Sequence, residues 1–456
     1  MTSATSSIAR YYANNEKRFI SELVELLKFP TISADPSHDK DCRNCAKWLA
    51  RNLSGIGLKS RLLETPGKPV VFAERIMDRN RPTILVYGHY DVQPVDPIDL
   101  WKTPPFAPVI KGDNIFARGA EDNKGQFFYV IKALEALIAL KLVDCNIKVI
   151  LEGEEEFSSH GMSVSLPKWK QLVKADSLIV TDVNTVNSGE PTIIMGLRGI
   201  VQLTVELDGP SYDLHSGSNG GVAPNPATAM ARLIATLHKD DGSIAVKGFY
   251  KDVAEPTRNE RKMANSVKFD KAQYKKITGV DPVGGEKRFS PAERLGFRPT
   301  IEVNGIHSGY GGPGSKTIIP SKSIAKITSR LVEGQDPDKM LGLIIDHLKS
   351  NTPVGMKLTL SDKHVAGPAI KIDAGSTLVK KAALVLKKLT GIKPVYLWEG
   401  ASVPVITKLA RTSGADTLFV GFGNAKHRAH APNEYFEKKL FKLGYLFAAE
   451  MIQSGK

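Results

Sequence analysis

Two segments of this chain are apolar on both sides for the length of a strand, and each runs directly into side chains that bind protons or metals. Ile84–Tyr87 is followed by Gly88, His89 and Asp91, and Ile147–Leu151 leads into Glu152-Gly153-Glu154-Glu155-Glu156. A strand with no polar face must be covered on both sides, as in the interior of an α/β sheet, and this limits the folds open to the chain. Gly88 permits a sharp turn. In extended backbone, side chains two apart point the same way, so His89 and Asp91 share a side. They do so at the carboxyl end of a buried strand, where open α/β sheets place their ligands.

The rest of the chain fits that frame. Helical spacing of apolar residues predicts helices over 8–29, ending before Pro30, and over 39–53. Strands are predicted at 59–63, 70–74, 83–87, 115–117, 147–151 and 177–180, with a helix over 126–140. This alternation describes a doubly wound, mixed α/β sheet. Near Gly196-Leu197-Arg198-Gly199 the pattern becomes half-buried: strand 199–208, helix 226–238, strands 298–304 and 323–332, helix 337–349 and strand 356–360. That βαββαβ order is the signature of a small two-layer α+β domain. The long, basic segment 239–297 has no readable pattern. The α/β character returns with helix 376–388, strands 395–397 and 418–420, and helix 435–452. The expected organisation is one discontinuous α/β domain, 1–197 and 366–456, interrupted by an inserted two-layer domain, 198–365.

At 456 residues two cores are expected. No apolar run reaches the roughly 18 residues of a membrane span, and the small, polar start of the chain lacks the apolar core of a secretion signal. The net charge of +14 invites a nucleic-acid reading, but its lysines are spread along the chain with no arginine-rich tract or aromatic stripe. Three cysteines make no disulfide framework. Cys42 and Cys45 form one C-x-x-C, read as a helical i, i+3 pair rather than a redox or zinc motif, and reduced thiols suit the cytoplasm.

Five clusters fall at the predicted strand ends: His89/Asp91, Asp122, Glu154–Glu156, Asp182 and His430. Each has an ordinary structural explanation: Asp122 as a helix cap, the glutamates as a solvated loop, Asp182 as a turn residue. Three acids directly after a buried strand place like charges where burial is expensive, and a nearby cation is the economical answer. Histidine and carboxylate donors without cysteine suit Zn2+ or a harder ion such as Mn2+.

Ten stretches in order, G-H-Y-D-V-Q-P, R-G-A-E-D-N-K-G, E-G-E-E-E-F-S-S-H-G, T-D, G-L-R-G, D-L-H-S-G, K-T-I-I-P, S-R-L-V, W-E-G-A-S-V-P and A-H-A-P-N-E, cover nearly the whole chain. With them the chain resembles the carnosinase-type, cytosolic nonspecific dipeptidase-like members of the two-metal peptidase family that also holds aminoacylases and carboxypeptidase G. The resemblance implies that Asp122 bridges two divalent ions, Zn2+ or Mn2+, with His89 and Asp182 completing one site and Glu156 and His430 the other. It makes Glu155 the general base and gives Asp91 the task of holding the His89 ring. It also implies a cis peptide at Asp122–Asn123. It makes 1–197 and 366–456 the catalytic domain and 198–365 a lid and dimerisation domain, with substrate contacts from Thr317, Arg330 and Ser402, and from His215 acting in the neighbouring subunit of a homodimer paired through the lid. Phe157, His160 and Trp398 depart from the usual residues and bear on substrate preference. The function implied is metal-dependent hydrolysis of dipeptides by a cytoplasmic enzyme, without nucleic-acid or membrane partners. The alternatives are N-acyl-amino-acid deacylation and, outside enzymes, a basic binding protein on a hydrolase scaffold.

Overall fold

The structure is a computed structural model and describes residues 3–186 and 189–453. The chain forms two compact units. One takes in the described residues of Met1–Met195, Ile372–Tyr396 and Lys408–Lys456, and the other Gly196–Lys371 with Leu397–Thr407. The short segment Leu397–Thr407 thus groups with the second unit.

The first unit is built on a mixed sheet, in keeping with the α/β fold expected from the sequence. Its strands run in the order Lys59–Leu63, Val70–Arg75, Asn146–Glu152, Thr83–His89, Ser177–Val180, Asp416–Phe419 and Thr192–Leu197. Asn146–Glu152, Thr83–His89, Ser177–Val180 and Asp416–Phe419 are mutually parallel, so their carboxyl ends emerge together. The two apolar runs are neighbours in register, with His89 beside Glu152, and all of Asn146–Glu152 is buried. Helix Lys124–Ala139 is buried from Lys124 to Leu137 and packs against helices Ser3–Leu27 and Lys438–Gln453. It buries two lysines by pairing them: Lys124 Nζ donates to the Phe29 carbonyl at 2.8 Å and Lys132 Nζ sits 3.0 Å from Glu135. Such burial of polar groups is tolerable only when the charge finds partners.

The second unit has the expected βαββαβ order. Its sheet runs Thr300–Ser308, Lys322–Leu331, Gly199–Asp208, Lys357–Gly367, antiparallel throughout. Val201, Leu203, Val205 and Leu207 alternate inward from the central strand and pack with Met230 and Leu233 of helix Pro226–Ala235 and Met340 and Ile344 of helix Pro337–Ser350.

One expectation needs correction. The helix expected over 435–452 begins at Lys438, because Tyr435–Glu437 is a strand pairing with Asn114–Phe116. The unreadable segment 239–297 holds three short helices, Arg258–Ala264, Lys271–Thr278 and Pro291–Phe297.

Candidate metal centre

The sheet brings the predicted residues together because parallel strands end on one side. His89 closes its strand, Glu155 and Glu156 follow Asn146–Glu152, Asp182 follows Ser177–Val180, and His430 lies beyond Asp416–Phe419. Asp122 precedes helix Lys124–Ala139 but does not cap it. The capping position belongs to Asn123, which makes no side-chain cap bond, so the ordinary explanation of Asp122 fails. The Asp122–Asn123 peptide is cis.

Asp122 faces two imidazoles with its two oxygens: Oδ1 is 3.1 Å from His89 Nε2 and Oδ2 is 2.9 Å from His430 Nε2. His89 Nε2 also lies 3.5 Å from Asp182 Oδ1, and His430 Nε2 lies 3.2 Å from Glu156 Oε2. Two three-residue groups result, His89/Asp122/Asp182 and Asp122/Glu156/His430, with the candidate ligand atoms of each within 4.8 Å of one another. Donors of this kind suit divalent ions of borderline or hard character, and one shared carboxylate suits a pair of them.

The supports around these groups are fixed. The Asp91 carboxylate is 3.3 Å from His89 Nδ1, accepts from Ser33 Oγ at 2.7 Å, and takes the backbone N–H groups of Glu155 and Glu156 at 3.1 and 3.0 Å. It therefore holds the His89 ring and the glutamate turn together, the arrangement by which a carboxylate orients a ligand imidazole. Asn123 Nδ2 donates to Asp182 Oδ1 at 3.1 Å and Gln93 Nε2 to Glu156 Oε2 at 2.8 Å. Sequence reading missed Ser33, Gln93 and Asn123. Gln93 and Asn123 lie inside quoted motifs and could have been suspected there, whereas nothing marks Ser33.

The electrostatics show how strongly the centre favours positive charge. Burial opposes ionisation of Asp122, but the His430 and His89 imidazoles outweigh it and hold the carboxyl well below its usual range. Hydrogen bonds to Asp122 and Glu156 raise His430 to about 11. Burial disfavours charge on His89, yet Asp182, Asp122 and Asp91 push its pKa well up. Burial raises Glu155 well above the ordinary range; the nearby His89 opposes this, and the Asp182, Glu156 and Asp91 carboxylates add to it. Its carboxylate makes no hydrogen bond among the described residues, so this carboxylate next to the ligand groups remains free to handle a proton. Three acids after a buried strand are not a solvated loop here. Glu154 is buried, with Oε2 accepting from the Gly161 N–H at 2.9 Å.

The remaining predicted residues lie in the second unit. Arg330 Nη1 donates to Ser402 Oγ at 2.8 Å, and no carboxylate pairs with Arg330 among the described residues. His215 is exposed, with Nδ1 accepting from the N–H groups of Gly217 and Ser218 at 3.0 and 3.3 Å, and the Thr317 carbonyl accepts from the Ser216 N–H at 3.0 Å. Trp398 is buried against Phe297 at 4.8 Å between ring centres, while Phe157 and His160 are exposed.

An α/β sheet that gathers imidazoles and acids at its carboxyl ends defines a class of metal-dependent hydrolase, and the comparisons place the chain within it. Residues 85–454 match the model for peptidase family M20/M25/M40, and the chain belongs to that family. The structure is similar to the M20 family metallo-carboxypeptidase Sso-CP2 of Sulfolobus solfataricus, with TM-score 0.83 and 33% identity over 95% of this chain and 98% of that one. In sequence the chain is 28% identical to the Cys-Gly metallodipeptidase dug1 of Schizosaccharomyces pombe, covering 93% of both. It is 28% identical to the Beta-Ala-His dipeptidase of Homo sapiens, over 85% of this chain and 78% of that protein.

Proposed function

We propose that the protein hydrolyses dipeptides with two divalent ions, Zn2+ or Mn2+, held by His89, Asp122, Asp182, Glu156 and His430. The observation that carries this reading is Asp122, whose two oxygens face two separate imidazoles, while Glu155, near His89 and Asp182, has no side-chain hydrogen bond among the described residues. Ions bound there would polarise the peptide carbonyl and lower the pKa of water toward neutrality. Glu155 then takes a proton from the attacking water and returns it to the departing amine. Asp91 keeps the His89 ring aligned. We assign the first unit to catalysis and the second to a lid that binds substrate and pairs two chains. Arg330, without an acidic partner among the described residues, takes the terminal carboxylate, with Thr317 and Ser402 as further substrate contacts. His215 supplies a hydrogen bond to the developing oxyanion in the partner chain's site. A cytoplasmic location accords with three buried free cysteines, and among the described residues no helix is long and apolar enough to cross a membrane.

The names of the S. pombe and human relatives favour dipeptides. The likeness to Sso-CP2 favours a second reading, removal of the last residue from longer or blocked peptides. Deacylation of N-acyl amino acids is the third. A panel of free dipeptides, N-blocked dipeptides, C-amidated dipeptides and N-acyl amino acids separates them. Free dipeptides should turn over fastest and amidated ones poorly, whereas faster turnover of N-blocked dipeptides or acyl amino acids would overturn the dipeptidase reading.

A further inference from the structure

Beneath the candidate ligands lies a buried ion pair to which the chemistry above gives no task. Arg118 Nη1 and Glu434 Oε2 are 2.8 Å apart, with side chains 1% and 0% exposed. They come from segments separated by 316 positions, one leading to Asp122 and the other following His430. Glu434 accepts from the backbone N–H of Gly119 at 2.9 Å through Oε2, and from those of Glu121 and Asp122 at 2.9 and 3.1 Å through Oε1. Arg118 Nη2 donates to the Pro94 carbonyl at 2.9 Å and Nη1 to the Ala431 carbonyl at 3.4 Å, while the guanidinium sits 5.3 Å from the Trp101 ring centre.

We propose that Arg118 and Glu434 are positioning residues that fix Asp122 relative to His430 before any ion arrives, a reading that rests on the ligand assignment above. One charge pair reaches three ligand-bearing segments: the Asp122 turn through its amides, the His430 loop through Ala431, and the segment after His89 through Pro94. Burying such a pair costs several kcal/mol in desolvation, so its presence is poor grounds for a stability role, and fixing one geometry is the use that remains. His430 most needs the support. Its φ is 63° and its side chain is 56% exposed, so packing does not hold the ring. His89 and Asp182 have supports of their own in Asp91 and Asn123.

The test uses the full-length protein stripped of metal, with Zn2+ titrated against a chromogenic chelator. Glu434→Gln removes the charge, and Glu434→Asp keeps it but withdraws it from the amides. In both, the two ions should bind about 10–100-fold more weakly, since both would share Asp122, and metal-free Glu434→Asp should melt close to the parent. Unchanged affinity for either ion, or a loss accompanied by a lowered melting temperature of metal-free Glu434→Asp, would overturn the proposal. Should neither variant fold, hydrogen exchange on the metal-free parent decides. Protection of the Gly119, Glu121 and Asp122 amides like that of the interior of helix Lys124–Ala139 supports it, and loop-like exchange until Zn2+ is added refutes it. Dipeptide hydrolysis enters neither measurement, so an error in the substrate reading leaves the outcome interpretable.

Discussion

At the scale of single residues, adjacent glutamates have different partners. Glu156 is bound by Gln93 and His430, whereas Glu155 has neither. Glu155→Gln should therefore keep both ions and lower kcat by about 10²–10⁴, and Glu156→Gln should lose an ion, both read by elemental analysis beside turnover. Equal metal loss in the two would contradict the division. His430 also carries a pH dependence. Its pKa in the metal-free protein is raised to about 11, so at neutral pH the ring is protonated and must release its proton to become a ligand. Ion affinity should rise with pH across the neutral range, with protons released on binding, and calorimetry in buffers of different ionisation enthalpy measures this. Cys42 and Cys45 make the opposite case. Burial raises both thiols to about 12 inside helix Asp39–Gly55, so iodoacetamide should label them only after unfolding.

At the scale of elements, the central strands and the acids and imidazoles gathered at their ends were legible because a run apolar on both faces has few possible environments, and the acids after it have few reasons to be there. Segment 239–297 was not legible because its helices do not depend on an apolar stripe. Two begin with reciprocal caps, Thr257 with Glu260 and Ser290 with Glu293, and Phe289 sits among the guanidiniums of Arg261, Arg288 and Arg298 at 4.5–5.3 Å. Strand Tyr435–Glu437 was missed because its partner, Asn114–Phe116, lies far away in the sequence. Gly125 shows an element constraining the site. A Cβ there would lie 2.0 Å from the Ala120 carbonyl oxygen, so the turn carrying Asp122 would have to move. Helix propensity alone makes Gly125→Ala stabilising by about 1 kcal/mol. The close approach predicts weaker ion binding and lower stability instead, measured by chelator competition and thermal melting.

At the scale of the whole molecule, the candidate metal ligands lie in the first unit and the residues assigned to substrate in the second. If His215 acts in the partner chain, His215→Ala should be nearly inactive yet fully metallated. Mixing it with Glu155→Gln should restore activity, since a mixed dimer has one site with both groups intact. No recovery after verified subunit exchange would place His215 outside the reaction or in its own chain. The claim on which everything else depends is that two ions sharing Asp122 drive the hydrolysis of a dipeptide. Its most direct test is the rate of free-dipeptide hydrolysis by stripped protein as Zn2+ or Mn2+ is added in known equivalents. The account predicts no activity without metal and a rate that levels off at two equivalents per chain, whereas full activity in the stripped protein, or a plateau at one equivalent, would contradict it.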